Sequence, residues 1–302
     1  MSAPAIRAAQ ERDVERAADV AFVAYDRAAV AHGMPPAVGT PDDCRRGLKQ
    51  LLALDPLGGF VAEEDGRLVG VGWVHPRGPV ATVGPLAIHP DAQGRGVGRR
   101  LLERLLEAAG PGVPQVRAVS DSFNTVALGL NLRLGFRIVA PLLLMELPAG
   151  ARSPAMAAPG GLVVRPATAA DAAHVVQRDA RAFGAPRAQS VDGYLARGRV
   201  LIAERGAMLA GYALGLVADR VAHLGAASAD DADVVLVLLA TLAGELAAPG
   251  VGVRVLVPAT DRRLLGGLAD FGFRVRLACQ YLVRGGGTAP PANYVLMNGD
   301  LM

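Results

Sequence analysis

The stretch from Val83 to Leu102 leaves this chain few ways to fold. It begins as an apolar strand, Val83-Gly84-Pro85-Leu86-Ala87-Ile88-His89-Pro90. It ends in an amphipathic helix that opens at Val97-Gly98-Arg99-Arg100-Leu101-Leu102. Between them runs Asp91-Ala92-Gln93-Gly94-Arg95-Gly96, so glycines stand at 94, 96 and 98. Glycine lets the backbone turn tightly and puts no Cβ in the way of a ligand. The helix that follows offers unpaired N–H groups and a partial positive charge. Strand, glycine loop and helix N-terminus together make a cradle for a phosphate or pyrophosphate, and Arg95, Arg99 and Arg100 add positive charge around it. The spacing is neither the G-x-G-x-x-G of dinucleotide folds nor a nucleoside triphosphate loop, which needs Lys-Ser/Thr.

Gln93, Gly96 and Gly98 fit the pattern Gln/Arg-x-x-Gly-x-Gly/Ala. In this respect the chain resembles the GNAT acyltransferase superfamily, whose loop of that form holds the pyrophosphate of acyl-CoA. Asn124-x-x-Ala127 followed by Leu134-Gly135-Phe136 resembles a second element of the family, a helix beside the CoA. The order of elements agrees. A strand at Ile6–Ala9 leads to a helix through Val14, Ala17, Ala18, Ala21 and Phe22. Gly33-Met34-Pro35-Pro36 breaks it. Thr40-Pro41-Asp42-Asp43 opens a second helix, to about Leu54, with Pro at its first position. A hairpin turns at Asp65-Gly66. The strand over 80–89, the loop and helix to about 109, a strand over 116–119, a helix over 124–134 and a long strand over 136–147 complete a β-α-α-β-β-β-α-β-α-β unit.

After a Pro-, Ala- and Gly-rich linker the unit repeats. Val164–Asp171 mirrors Ile6–Asp13, Val200–Gly206 mirrors Phe60–Gly66, and Gly272-Phe273 mirrors Gly135-Phe136. The expected fold class is α/β (α+β): two tandem GNAT-like domains, each a mixed, mostly antiparallel central sheet flanked by helices. The expected boundaries are 1–148 for the acyl-CoA-binding domain, 149–161 for the linker, 162–284 for a degenerate second domain and 285–302 for a tail. The copy is shorter, mainly around its second helix. It has also lost the loop: the strand over 221–227 runs into Ser228-Ala229-Asp230-Asp231-Ala232-Asp233 without a glycine. Those carboxylates suit a helix N-terminus and would repel a pyrophosphate. The second domain is therefore expected to pack on the first and shape its pocket. The tail contains the apolar segment Tyr294–Met297 and is expected to be a disordered end, or else to fold back over the first domain.

The resemblance implies transfer of an acyl group from acetyl-CoA, or a related acyl-CoA, to a small-molecule amine. It implies donor contacts at Leu86, Ala87 and Ile88 on the strand, at Gln93, Gly94, Arg95, Gly96, Val97, Gly98 and Arg99 in the loop, and at Asn124. Gly84-Pro85 is expected to bulge the strand, because proline removes a ladder hydrogen bond, leaving Leu86 N–H as the oxyanion donor. Many members carry a tyrosine general acid near the thioester sulfur, and here that frame holds Asn131. An amide cannot donate a proton as an acid, but it can hydrogen-bond the sulfur. The candidate catalytic residues are Leu86, Asn131 and His75, a histidine titrating in the useful range. Glu63, Glu64, His32, His89, Tyr294, Asp300 and the Met302 carboxylate are further groups for moving a proton. The alternative reading is an acyl-CoA-binding sensor without turnover, motivated by Asn131 and by the absence of an acid at Val83 or Gly84.

Composition narrows the rest. A chain of 302 residues accommodates two domains. A net charge of +3 with scattered arginines does not make a nucleic-acid surface. Cys44 and Cys279 are far apart and have no metal-ligand spacing, so neither a disulfide framework nor a metal is expected. The apolar run Val234–Ala243 is too short to span a bilayer and reads as a buried helix. With no apolar signal core near Met1, a cytoplasmic protein is expected, either a monomer with pseudo-dimeric domains or a homodimer.

Overall fold

A computed structural model of the chain describes residues 4–35, 39–152, 154–218 and 220–297. Its centre is one 13-stranded sheet built from both repeats. The first repeat runs β1 (Ala5–Ala8), α1 (Val14–Ala31), α2 (Pro41–Leu54), β2 (Gly59–Glu64), β3 (Arg67–Arg77), β4 (Val80–Ile88), α3 (Val97–Ala108), β5 (Gln115–Asp121), α4 (Thr125–Arg133) and β6 (Phe136–Leu147). The second runs β7 (Leu162–Pro166), α5 (Ala172–Phe183), α6 (Ala188–Arg197), β8 (Arg199–Arg205), β9 (Met208–Ala218), β10 (Val221–Ala229), α7 (Ala232–Leu246), β11 (Gly252–Pro258), α8 (Arg262–Asp270) and β12 (Arg274–Gly285). A short β13 (Tyr294–Val295) follows.

Local chemistry sets the element starts. Pro41 opens α2 behind a capping box, in which Thr40 and Asp43 satisfy each other's backbone N–H groups. Arg7 on β1 clamps the start of α1 by pairing with Asp13 at 2.7 Å and with Glu63 on β2 at 3.0 Å. The second repeat builds the same clamp from Arg165, Asp171 and Glu204, each pair at 2.8 Å. The second repeat is shortened at both of its first helices. α5 has 12 residues where α1 has 18, and α6 has 10 where α2 has 14. The loss is thus shared between two helices instead of falling mainly on the second.

The two repeats do not close separately. The strand order is β1-β2-β3-β4-β5-β12-β6-β11-β10-β9-β8-β7. β12 pairs antiparallel with β5, Tyr281 opposite Val119, and β6 pairs antiparallel with β11, Leu144 opposite Leu256. Each repeat's last strand therefore completes the other repeat's half of the sheet, and β12 and β6 pair along the pseudo-twofold between them. One core cluster crosses the junction, joining Val80, Ala140 and Leu142 to Phe183, Leu256, Tyr281 and Leu296. Leu142 is fully buried, so truncating it to alanine would cost about 2–5 kcal/mol. The run Val234–Ala243 lies within α7 and is buried except at half-buried Thr241. Among the described residues no helix is long and apolar enough to cross a membrane.

The described part of the tail, up to Met297, folds into the second repeat. β13 pairs with β10, Val295 opposite Ala227, and Leu296 donates its backbone N–H to Leu256 on β11 at 3.0 Å. Tyr294, Val295, Leu296 and Met297 are all buried. Tyr294 Oη accepts from buried Arg187, which is itself paired with Asp179 at 2.7 Å. The expectation of a disordered end, or of a flap over the first domain, fails because four apolar or aromatic side chains find a slot in the second repeat. Asp300 and Met302 lie outside the described residues.

Candidate active site

β4 and β5 run parallel only from Val80–Gln115 to Val83–Ala118. Pro85 has no N–H, and past Gly84 the two strands separate. On its other side β4 remains paired with β3. His89 N–H donates to Val69 carbonyl at 2.9 Å, and Ala87 stands opposite Val71. Hydrogen-bonded pairs alternate in an antiparallel ladder, so Ala87 and His89 bond inward to β3. Leu86 and Ile88 therefore turn their N–H groups outward, into the wedge that β5 has left.

The glycine loop lies at the end of that wedge. Gly94 and Gly96 adopt φ of +74° and +82°, and an added Cβ at either would meet nothing within 4 Å. Gly96 is the N-cap of α3, so the first N–H groups of α3 open onto this free space. Gly98 already belongs to the first turn, packed on Ile88 and Leu130, and Val97 is buried. Gln93 is committed to the chain itself, its Nε2 donating to Ile88 carbonyl at 3.0 Å. Arg95 pairs with Glu64 at 2.8 Å and Arg99 with Glu103 at 2.8 Å, and both guanidiniums stay at the rim. These residues fit an acyl-CoA: outward amides for the pantetheine arm, an open cradle for the pyrophosphate, and cations beside it.

A cavity of about 440 Å³ meets the wedge at Val83, Gly84, Pro85 and Leu86. α1, α2, β5 and α4 wall it on the first-repeat side, with Tyr25, Leu48, Asp121, Asn124 and Asn131 among the lining residues. Arg254, Leu256, Arg276, Leu277 and Cys279 of the second repeat close it. Strand exchange is what brings β12 here.

The structure separates the candidate catalytic residues. Leu86 is at the wedge. Asn131 lines the cavity but donates its Nδ2 to Ala127 carbonyl, one helical turn back, at 2.9 Å. Asn124 caps α4 by accepting from Ala127 N–H at 3.0 Å. His75 is 1% exposed and is not among the cavity-lining residues. Its Nδ1 faces Asp55 Oδ2 at 2.5 Å and its Nε2 faces Gly84 carbonyl at 2.9 Å. The ring is held from both of its nitrogens. His75 thus braces the point where β4 departs from β5. Glu63 and Glu64 are held by Arg7 and Arg95. His89 accepts from Asp91 N–H, and exposed His32 lies 5.1 Å from the Phe123 ring.

Asp121 is a lining residue that escaped the sequence reading. Asp121 ends β5 inside the cavity, where burial raises its pKa; Cys279 Sγ donates to it at 3.6 Å. The only sequence signal was an acid at the end of a strand.

The second repeat carries the same splay in closed form. β10 pairs with β11 from Val221–Gly252 to Leu224–Val255 and then leaves it. β13 fills the gap: Ala229, which corresponds to Ile88, donates its N–H to Asn293 carbonyl at 3.3 Å. A Cβ on Gly225, the counterpart of Gly84, would meet Leu296 carbonyl oxygen at 2.0 Å. The start of α7 is capped by the Asp231 side chain, which accepts from Val234 N–H. The chain's own tail and a carboxylate cap occupy what is open in the first repeat.

A splayed strand pair and an open glycine cradle thus mark the first repeat, and a closed slot marks the second. Residues 28–136 match the family model described as "Acetyltransferase (GNAT) family", so the first repeat is a GNAT-family domain and the chain is a tandem of two domains with the GNAT fold. In sequence it is similar to the mycothiol acetyltransferase of Streptomyces coelicolor, at 37% identity over 124 residues, 39% of each chain. The match spans between 28% and 39% of the length of the first three curated relatives. In structure it is similar to a candidate acetyltransferase of Pyrococcus horikoshii, with a TM-score of 0.80 and 21% identity over 100% of this chain and 97% of that one. It also resembles a tandem GNAT protein from the clavulanic acid biosynthesis pathway, with a TM-score of 0.65 and 16% identity over 95% and 100% of the two chains.

Proposed function

We propose that the protein transfers an acetyl or similar acyl group from acyl-CoA to the amine of a small-molecule acceptor, using the donor slot of the first repeat. The observation that carries this reading is the wedge between β4 and β5, with the N–H groups of Leu86 and Ile88 turned into it and a cavity at its mouth. The cleft holds thioester and amine side by side, which makes their encounter effectively unimolecular.

The amine must be neutral to attack. Asp121 lines the cavity, and its raised pKa makes it a better proton acceptor. It takes the proton from the bound ammonium. As the C–N bond forms, Leu86 N–H donates to the developing oxyanion. The C–S bond then breaks, the electron pair leaves on sulfur, and the second proton of the amine nitrogen passes to the departing thiolate, leaving a neutral amide and the free thiol. A thiol has a pKa of about 8.5, so thiolate departs without a strong acid. Asn131 is bound to its own helix and supplies polarity at the cavity wall. His75 is a positioning residue for the Gly84-Pro85 turn.

The test is thiol release from acetyl-CoA over a panel of small amines, mycothiol-related amines among them because of the relatives' name. Asp121→Asn should lower kcat about 10²–10⁴-fold while acetyl-CoA affinity is kept. Acetyl-CoA binding without turnover on any amine would instead support the second reading, a sensor, which the engagement of Asn131 with Ala127 favours. Burial of both cysteines, neither in a disulfide, supports a cytoplasmic setting.

A further inference from the structure

β4 leaves β5 at the pair Val83–Ala118. The last three residues of β5, Val119, Ser120 and Asp121, therefore have one paired strand beside them, β12 of the second repeat. Three contacts hold that end. Ser122 donates its N–H to Ala278 carbonyl at 2.9 Å, Gln280 Nε2 donates to Ser122 Oγ at 3.0 Å, and Cys279 Sγ donates to Asp121 Oδ1 at 3.6 Å.

The ladder sets the geometry of the third contact. Ser122 and Ala278 share a ladder hydrogen bond, and bonded and non-bonded pairs alternate along antiparallel strands. The next pair, Asp121 opposite Cys279, is therefore of the non-bonded kind. In such a pair the two side chains share a face, with Cβ atoms about 4.5–5.5 Å apart. On its other edge β12 pairs with β6, where Cys279 stands opposite fully buried Leu142. Cys279 is itself 4% exposed. The thiol is thus fixed from both sides, and the carboxyl that it meets opens onto the cavity.

The chemistry of the pair is one-directional. Burial and the adjacent carboxylate push the Cys279 thiol up, so it keeps its proton and stays a donor. Burial raises the pKa of Asp121, and the thiol hydrogen bond acts to lower it. A thiol is a weak donor, so it moderates that rise without reversing it. The other titratable or charged side chains lining the cavity are Tyr25 of α1, Asp43 and Cys44 of α2, Arg254 of β11 and Arg276 of β12. Asp43 caps α2 and pairs with Arg46, while Arg254 and Arg276 lie 2.6 and 3.4 Å from Glu146.

We infer that Cys279 is a positioning residue: its S–H fixes where the Asp121 carboxylate points, so the second repeat supplies part of the proton-accepting apparatus of the first. The inference rests on the reading of Asp121 as the base. It makes the exchange of β12 a requirement of the site as well as of the sheet.

The test is carbon NMR across pH on protein with labelled aspartate carboxyl carbons and cysteine β-carbons, together with the thiol-release assay. Asp121→Asn and Cys279→Ala assign the two signals, and Cys44 is the one other cysteine in the chain. In the wild type the Cys279 β-carbon should move with the same midpoint as the Asp121 carboxyl. Cys279→Ala and Cys279→Val should raise the Asp121 midpoint by about half a pH unit or more. Cys279→Ser, which keeps a donor on the same Cβ, should return it toward the wild-type value. In the assay the Ala and Val variants should lower kcat about 10-fold with the KM for acetyl-CoA kept, and the acid limb of kcat should follow the NMR midpoint. The Ser variant should recover part of the rate. Separate midpoints for the two wild-type signals overturn the positioning role, and this comparison needs no variant to fold. An Asp121 midpoint unmoved in the Ala and Val variants overturns it too. A midpoint that moves while the acid limb stays in place sustains the hold of Cys279 on Asp121 and ends the reading of Asp121 as the base.

Discussion

Ala229 gives its backbone N–H to the carbonyl oxygen of Asn293 in the tail, while its counterpart Ile88 turns the same group into an open wedge. One chain therefore presents one donor slot. Calorimetric titration with acetyl-CoA should give a stoichiometry of one per chain. A stoichiometry of two would mean that the tail yields its place to a ligand.

Removing residues 290–302 should lower the unfolding temperature markedly, because Tyr294, Val295, Leu296 and Met297 are each at most 3% exposed. Burial of side chains of that size is worth about 1.5–3 kcal/mol apiece. The stoichiometry should stay at one, since Asp231 still caps α7 and repels a pyrophosphate. Thermal melts and titrations of the shortened chain check both points.

Gly96→Glu should weaken acetyl-CoA binding at least about 10-fold. The residue sits at φ +82°, where a side chain is strained, and the new carboxylate faces the cradle. The change is in a surface loop, so the melting temperature should fall only modestly, by an amount set by about 1–2 kcal/mol of backbone strain. Unchanged affinity would show that the pyrophosphate lies elsewhere.

Asp55 should govern part of the acid sensitivity. Burial acts to raise its pKa, but hydrogen bonds from His75 and Arg77 outweigh burial and hold it down to about 2. A carboxyl depressed in the folded state stabilises the fold above its unfolded pKa of about 4. The contribution, on the order of 2 kcal/mol, is lost as pH falls from about 4 to about 2. Urea midpoints of the wild type should drop across that window, and those of Asp55→Asn should drop less while starting lower at pH 7.

Much of this was legible in the residues and some was not. The cradle could be read because Gly94 and Gly96 stand where only a positive φ serves, a local demand that leaves a local mark. The repeat could be read because each copy keeps the same ion clamp, Arg7-Asp13-Glu63 and Arg165-Asp171-Glu204. The strand exchange left no such mark. β6 and β12 both follow a Gly-Phe turn and both have 12 residues, so either suits either half of the sheet. His75 looked like a base because sequence shows a side chain and not its partners. Asp121 and Arg276 meet in one cavity from positions more than 150 residues apart, a proximity that neither local pattern carries.

The exchange of β6 and β12 has a consequence for how such a protein can change. Two identical chains that swap their last strands must carry every substitution twice, once on each side of the twofold axis. An arginine added to improve one pocket would then also appear in the other. Joined in a single polypeptide, the halves are released from that duplication while still sharing a sheet. One half was free to keep its glycines, the other to surrender its slot to a tail and lend two arginines across the seam. The seam makes the division of labour permanent, because neither half retains a complete sheet to take away with it.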